Sequence, residues 1–260
     1  MTASPGKWWF ERYPEWSAVY AQMTRDRNSR VEELVSGGQR LLDLGCGFGD
    51  MLYLLRARYD EKHGVDPAPI MVEKTLQNLK RHQLTGPYFV RHGVAESLPC
   101  DSESFDTVTM LDVYEHIEPA RRLLALAEVR RVLKPGGELV LVTPSRYILR
   151  FWNVVDNFLS LPLRLLRHEP PRIWRFVSKD FTEEFCSKRE LQKAVEESKL
   201  NLKYFGRVSF YPAPETTGFL TPWLRLTVRI PFVHRLLGLF FGLMSRCRVL
   251  NQKMIIRCTK

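Results

Sequence analysis

The run Arg40-Leu41-Leu42-Asp43-Leu44-Gly45-Cys46-Gly47-Phe48-Gly49-Asp50 decides how the rest of this chain is read. Residues 40–44 make a short apolar strand, and three glycines at alternate positions follow at once. Glycines let the backbone turn tightly and approach a ligand with no Cβ in the way. Residues 50–59 then carry helical periodicity through Leu52, Leu55 and Tyr59. A helix opening after such a turn offers N–H groups to a carboxylate or phosphate. About 20 residues further on, an acid at the end of a second strand can hold two ribose hydroxyls. Asp66, closing the short strand 62–65, occupies that place. The turn alone would also suit a dehydrogenase or a plain tight turn. Its spacing is Gly-x-Gly-x-Gly, however, and a nicotinamide-binding fingerprint would put the third glycine one residue later.

Outward from the turn, strand and helix alternate. Residues 69–82 read as a helix with Pro69 in its first turn, and 87–90 as a strand. Residues 105–111 form the next strand, ending at Asp112. The pattern predicts a helix over 118–133, stopped by Lys134-Pro135-Gly136-Gly137, and a strand over 138–142. This alternation predicts an α/β, Rossmann-like doubly wound sheet with helices on both faces. Ser187 and Glu190 form a capping box opening a helix to about 198, and strands follow at 200–210 and 252–258. The chain thus divides into an N-terminal helical lid (1–38), a cofactor-binding core (39–145), an apolar-basic insertion (146–186), a core helix and strand (187–210), a second such insertion (211–250) and a final core strand (251–260). The lid carries Trp8, Trp9, Phe10, Tyr13, Trp16 and Tyr20 among charges.

Four blocks in order carry a resemblance: LLDLGCGFGD, GVDPAPIMVEKT, VAESLPCDSESFDTV and LKPGGELVLVTPS. Together they resemble the class I S-adenosylmethionine-dependent methyltransferases, with an affinity to the small-molecule and quinone branch. The resemblance implies a seven-stranded sheet with the last strand antiparallel, and S-adenosyl-L-methionine as cofactor, released as S-adenosyl-L-homocysteine. It implies that Gly45, Cys46, Gly47 and Gly49 line the methionine end, that Asp43 steadies the turn, and that Asp66 with Pro67 meets the ribose. Ala95 and Glu96 would lie beside adenine, and Leu111 and Asp112 where cofactor meets substrate. Many relatives have an acid where Val94 stands, so the adenine contact here must come from elsewhere.

Asp112-Val113-Tyr114-Glu115-His116 resembles the E-x-x-E-H of quinone O-methyltransferases, where a divalent metal is implied. The same residues would serve an ordinary strand-to-helix loop, and no metal ligand is assigned. Asp112, Tyr114 and His116 are the candidate catalytic residues. A base is wanted only when the accepting atom is a protonated hydroxyl.

Charge separates the chain into unlike parts. Residues 146–260 hold 21 Lys and Arg against 9 Asp and Glu, whereas the first 145 are slightly acidic. From Thr216 onward there are eight basic residues and no acid. In the two insertions, expected to be helical and to cover the active-site face of the sheet, large apolar residues alternate with arginine, as in Leu163-Arg164-Leu165-Leu166-Arg167 and Trp223-Leu224-Arg225-Leu226. Such segments suit a membrane interface, and the partners expected are a lipophilic or lipid substrate and an anionic membrane surface. The alternatives are packed helices, a lid for a soluble metabolite or an oligomer contact, and a protein that binds the cofactor without using it. A nucleic-acid groove fits less well, because so many Leu and Phe stand among the cations. The five cysteines are scattered, with no metal-finger spacing. The first residues lack the apolar core of a secretory signal, so a cytoplasmic location, peripheral on the inner face of a membrane, is expected.

Overall fold

Leu41, Leu42 and Leu44 are all buried along β1 (Gly38–Leu44), as consecutive residues are when a strand lies inside a parallel sheet. In the computed structural model, which describes residues 27–146, 177–178, 181–182, 184–208 and 253–260, this strand is central to a seven-stranded sheet. A helix, α1, covers 27–34 before it. After it come α2 (Asp50–Leu54), β2 (Tyr59–Asp66), α3 (Pro69–Arg81), β3 (Tyr88–His92) and β4 (Phe105–Leu111). Two single 3-10 turns, Tyr114–His116 and Pro119–Arg121, lead into α4 (Arg122–Val132) and β5 (Leu133–Pro144). Short strands β6 (Val177–Ser178) and β7 (Phe181–Thr182) pair antiparallel as a separate ribbon. The last elements are α5 (Lys188–Glu197), β8 (Asn201–Val208) and β9 (Lys253–Thr259).

The sheet order is β3-β2-β1-β4-β5-β9-β8. β1 runs parallel to β2 and to β4, with Leu44 opposite Val65 on one side and Met110 on the other. The last strand in the chain is antiparallel. Strand order reverses between β1 and β4, so their carboxyl ends part there and leave the crevice in which open α/β sheets bind ligands. The chain falls into two compact units, and nearly all of the sheet belongs to one, Arg27–Thr143, Glu184–Gly206 and Met254–Lys260. The ribbon of β6 and β7 belongs to the other.

Four elements differ from the sequence reading. Tyr59 starts β2 instead of closing a helix, because its hydroxyl donates to buried Thr107 Oγ1 at 2.8 Å. The helix expected over 118–133 begins as a 3-10 turn at Pro119, the residue that cannot extend a helix backward. Lys134-Pro135-Gly136-Gly137 lies inside β5 and does not interrupt it. The register facing β4 shifts between Phe105 and Thr107, so an irregularity absorbs the extra residues. Within the insertion read as helical, 177–178 and 181–182 are strands. The capping box is present as read, with Ser187 Oγ accepting from the Glu190 amide at 3.2 Å. Residues 1–26, most of 147–183 and 209–252 lie outside the described residues, and with them the aromatic lid and most of both insertions.

At the amino ends of the strands, charges seal the sheet. Asp106 accepts from the Gln39 and Arg40 amides and pairs with Lys134 at 2.8 Å. Burial pushes its carboxyl upward, but Lys134 and those amides hold it below the ordinary carboxylate range. Deeper in, Glu138 is 4% exposed. Its carboxylate accepts from the Ser36 amide at 2.6 Å and from Thr107 Oγ1 at 3.2 Å, and pairs with Arg257 at 2.7 Å.

Candidate active site

All three glycines of the turn after β1 have left-handed backbone, with φ of 72°, 53° and 83° at Gly45, Gly47 and Gly49. Space treats them differently. A Cβ at Gly45 would lie 2.2 Å from Val113 Cγ2, and one at Gly49 2.9 Å from Thr75 Cγ2. A Cβ at Gly47 would meet nothing nearer than 4.0 Å. Gly45 and Gly49 therefore let protein pack on protein, whereas Gly47 opens on free space at the crevice. Side chains from α3 brace the turn, Thr75 Oγ1 donating to Gly47 O at 2.6 Å and Asn78 to Phe48 O at 3.2 Å.

Asp66 ends β2 and is 7% exposed. Its Oδ2 accepts from the Gly47 amide at 3.0 Å and its Oδ1 from the Ala68 amide at 2.9 Å. The acid expected to meet a ribose thus also ties the second glycine to β2, a link that spacing could not reveal. Each carboxylate oxygen retains acceptor capacity beyond one amide. These residues fit an adenosine-bearing cofactor: Gly47 leaves the space and Asp66 supplies the acceptor.

Asp43 lies beneath the turn, 4% exposed, with Thr109 Oγ1 donating to its Oδ1 at 2.7 Å. Burial pushes its carboxyl up to about 7, against the opposing Thr109 hydrogen bond and the charge of Arg27. A folded value above the unfolded one contributes stability that is complete in acid and lost as pH rises through about 7. A cation bound nearby favours the ionised carboxyl. Binding of a sulfonium compound is therefore expected to release protons between about pH 5 and 7 and to tighten as pH rises across that window. Calorimetry in buffers of different ionisation enthalpy measures this release, and Asp43→Asn should abolish it.

Cys46, assigned with the turn, contributes backbone only. Its thiol is buried, lies 3.7 Å from Thr75 Oγ1, and is pushed up to about 12 by burial. Pro67 is exposed, its carbonyl 3.1 Å from His92 Nε2. Ala95 is buried and Glu96 half-buried in the turn closed by Ser97 N and Val94 O, and Val94 itself is 43% exposed.

Leu111 ends β4 and Asp112 follows it, at the same crevice. Asp112 has φ 56°, and its amide donates to Val142 O at 2.9 Å. The following loop is braced on several sides. Thr143 Oγ1 donates to buried Glu115 Oε2 at 2.9 Å, and Arg122 donates to the carbonyls of Ile117 and Glu184. His116 is exposed at the end of its 3-10 turn. Tyr114, read as a catalytic candidate, lies buried rather than open at the crevice. It is 2% exposed within the hydrophobic core, Arg122 lies 4.8 Å from its ring centroid, and burial pushes its hydroxyl up to about 12. An apolar environment on this helix-facing side outweighed its position in the motif. Sequence reasoning missed Arg27, whose Nη1 pairs with Asp112 Oδ2 at 2.7 Å. Among the described residues, no group of three or more His, Cys, Asp or Glu could hold a metal ion.

A parallel α/β crevice with a glycine turn and an acid on the neighbouring strand defines an adenosine-binding protein of the doubly wound class. Comparison makes this specific. Residues 42–141 match the model of a methyltransferase domain. An uncharacterized methyltransferase of Synechocystis is 30% identical over 187 residues, 66% of this chain and 80% of that one. A phthiotriol/phenolphthiotriol dimycocerosates methyltransferase of Mycobacterium leprae is 45% identical over 104 residues, 39% of this chain and 36% of that one. Among solved structures, an S-adenosylmethionine-dependent methyltransferase of Methanosarcina mazei shares the fold, with a TM-score of 0.60 at 18% identity, over 89% of this chain and 96% of that one. The chain belongs to the S-adenosylmethionine-dependent methyltransferase family. It spans 36% to 45% of the length of several mycobacterial relatives that it matches.

Proposed function

We propose that this chain transfers a methyl group from S-adenosyl-L-methionine to a lipophilic small molecule or lipid, of quinone or isoprenoid kind, at an anionic membrane surface. The observation that carries methyl transfer is the open glycine turn tied to Asp66 at the switch point of the sheet. The bound cofactor supplies a methyl group already activated on sulfur. The protein's work is alignment of the acceptor with that group and exclusion of water. The braced loop 112–116 suits this: it presents Asp112 beside the turn and exposed His116 as the group that would orient an acceptor hydroxyl or take its proton.

Support for a lipophilic acceptor comes from the basic, leucine- and arginine-rich stretches of the C-terminal half. The mycobacterial relative named for phthiotriol and phenolphthiotriol dimycocerosates points the same way. No helix among the described residues is long and apolar enough to cross a membrane. Each surface cation near anionic lipid contributes about 1 kcal/mol, so reversible attachment is expected.

Co-sedimentation with vesicles tests the surface part. The expected result is binding to phosphatidylglycerol-containing vesicles at low salt, little at high salt, and little to phosphatidylcholine alone. No binding to either would move the acceptor to soluble metabolites.

A further inference from the structure

Arg27 is a basic side chain that the fold brings into contact with Asp112. It stands at the start of α1, in the same compact unit as most of the sheet. The helix holds it firmly. Val31 and Val35 are buried, and Arg30 donates to the Tyr204 hydroxyl of β8 at 2.7 Å. Arg27 Nε donates to Asn28 Oδ1 at 2.9 Å while Nη1 pairs with Asp112 at 2.7 Å. The two side chains of that pair are only 15% and 24% exposed, so water screens them weakly.

The position of this pair matters more than its strength. Asp112 follows β4, and Asp43 is the penultimate residue of β1, on the two strands that flank the switch point. Arg27 touches Asp112, and its charge opposes the upward push that burial gives the Asp43 carboxyl. The guanidinium therefore stands against the Asp112 carboxylate, next to the loop whose Val113 packs on Gly45. A cation held beside a carboxylate complements a zwitterionic α-amino acid. The ligand's carboxylate can meet Arg27 and its ammonium can meet Asp112. Arginine suits this place because its planar fork can serve more than one carboxylate at once. Asp112 also removes the cost of a poorly hydrated guanidinium before any ligand arrives.

The geometry points to Arg27 as the residue that receives the α-carboxylate of the cofactor's amino-acid end, with Asp112 holding its guanidinium in orientation. This rests on the cofactor reading above and adds a binding residue from outside the glycine turn.

The test uses two probes, S-adenosylhomocysteine and its decarboxylated counterpart, which differ only in the α-carboxylate. Calorimetric titration of the full chain reads their affinities. Wild type is expected to prefer S-adenosylhomocysteine by about 10- to 100-fold, as one charge-assisted contact would give. In Arg27→Met that preference should vanish. S-adenosylhomocysteine should weaken by the same factor while the decarboxylated compound changes less than about twofold. Arg27→Lys, which keeps the charge without the fork, should retain part of the preference. A thermal melt confirms which variants are folded.

Parallel weakening of both compounds in folded Arg27→Met and Arg27→Lys would overturn the assignment, because Arg27 would then only shape the pocket. Equal affinity of the wild type for both compounds would also overturn it while leaving the cofactor reading intact. Failure of the wild type to bind either compound would overturn the cofactor reading, and this assignment with it.

Discussion

Gly47→Arg is expected to fold and to lose binding of S-adenosylmethionine by at least about 100-fold, equivalent to about 3 kcal/mol. The reasoning lies in the contrast among the three glycines. At position 47 a side chain enters open space, so the protein tolerates it apart from a left-handed backbone cost of about 1–2 kcal/mol. In the proposed site that space receives the cofactor, and an arginine would fill it. At positions 45 and 49 an added Cβ meets Val113 or Thr75, so substitutions there should lower stability and binding together. Asp66→Ala should also weaken binding about 100-fold, because it removes the acceptor proposed for the ribose and releases the Gly47 amide. Calorimetry and a thermal melt on the same samples separate the effects. Wild-type affinity in both Gly47→Arg and Asp66→Ala would remove the turn from the cofactor site.

Glu138→Ala is expected to destabilise the fold by about 3 kcal/mol without touching the crevice. The carboxylate takes hydrogen bonds from the stretch before β1 and from β4, and pairs with Arg257 of β9. Its removal leaves Thr107, fully buried, without that acceptor, and leaves Arg257 without its carboxylate, bonded there to the Ser36 hydroxyl. The arginine is 34% exposed and can turn toward water, which holds the cost at the lower end for a broken buried pair. Urea unfolding reads the loss directly. Cofactor affinity measured well below the transition should stay within about twofold of wild type. A change in stability below about 0.5 kcal/mol would show that the network is dispensable.

The fold was legible where chemistry is local. The glycine turn, the acid ending β2 and the Ser187–Glu190 capping box each occupy a few consecutive residues and need no knowledge of distant partners. Tyr59 was misread because residues 50–59 keep helical spacing, while the decisive hydrogen bond comes from Thr107, 48 positions away. Lys134-Pro135-Gly136-Gly137 reads as a stop, and only the neighbouring strand β4 makes it an irregularity within β5. The site divides in the same way. Spacing alone suggests Gly47 and Asp66, which the fold links by a hydrogen bond, whereas Arg27 lies 85 residues from Asp112 and stands in a helix with no motif. Tyr114 was chosen for its place in a motif, but its surroundings are apolar and it packs in the core.

The seating of Val113 on Gly45 has a consequence for anyone who would redirect this enzyme. Under the proposed function, position 113 belongs to the loop that would face the acceptor, yet its methyl group rests on the turn that would serve the donor. Enlarging it to reshape acceptor choice will press on that turn, and trimming it will leave the turn unsupported. On that proposal, acceptor scope and donor affinity become one design variable at this position. A library built at residue 113 should be screened for both, with compensating changes sought at Thr75 and Asn78, the side chains that brace the turn from α3.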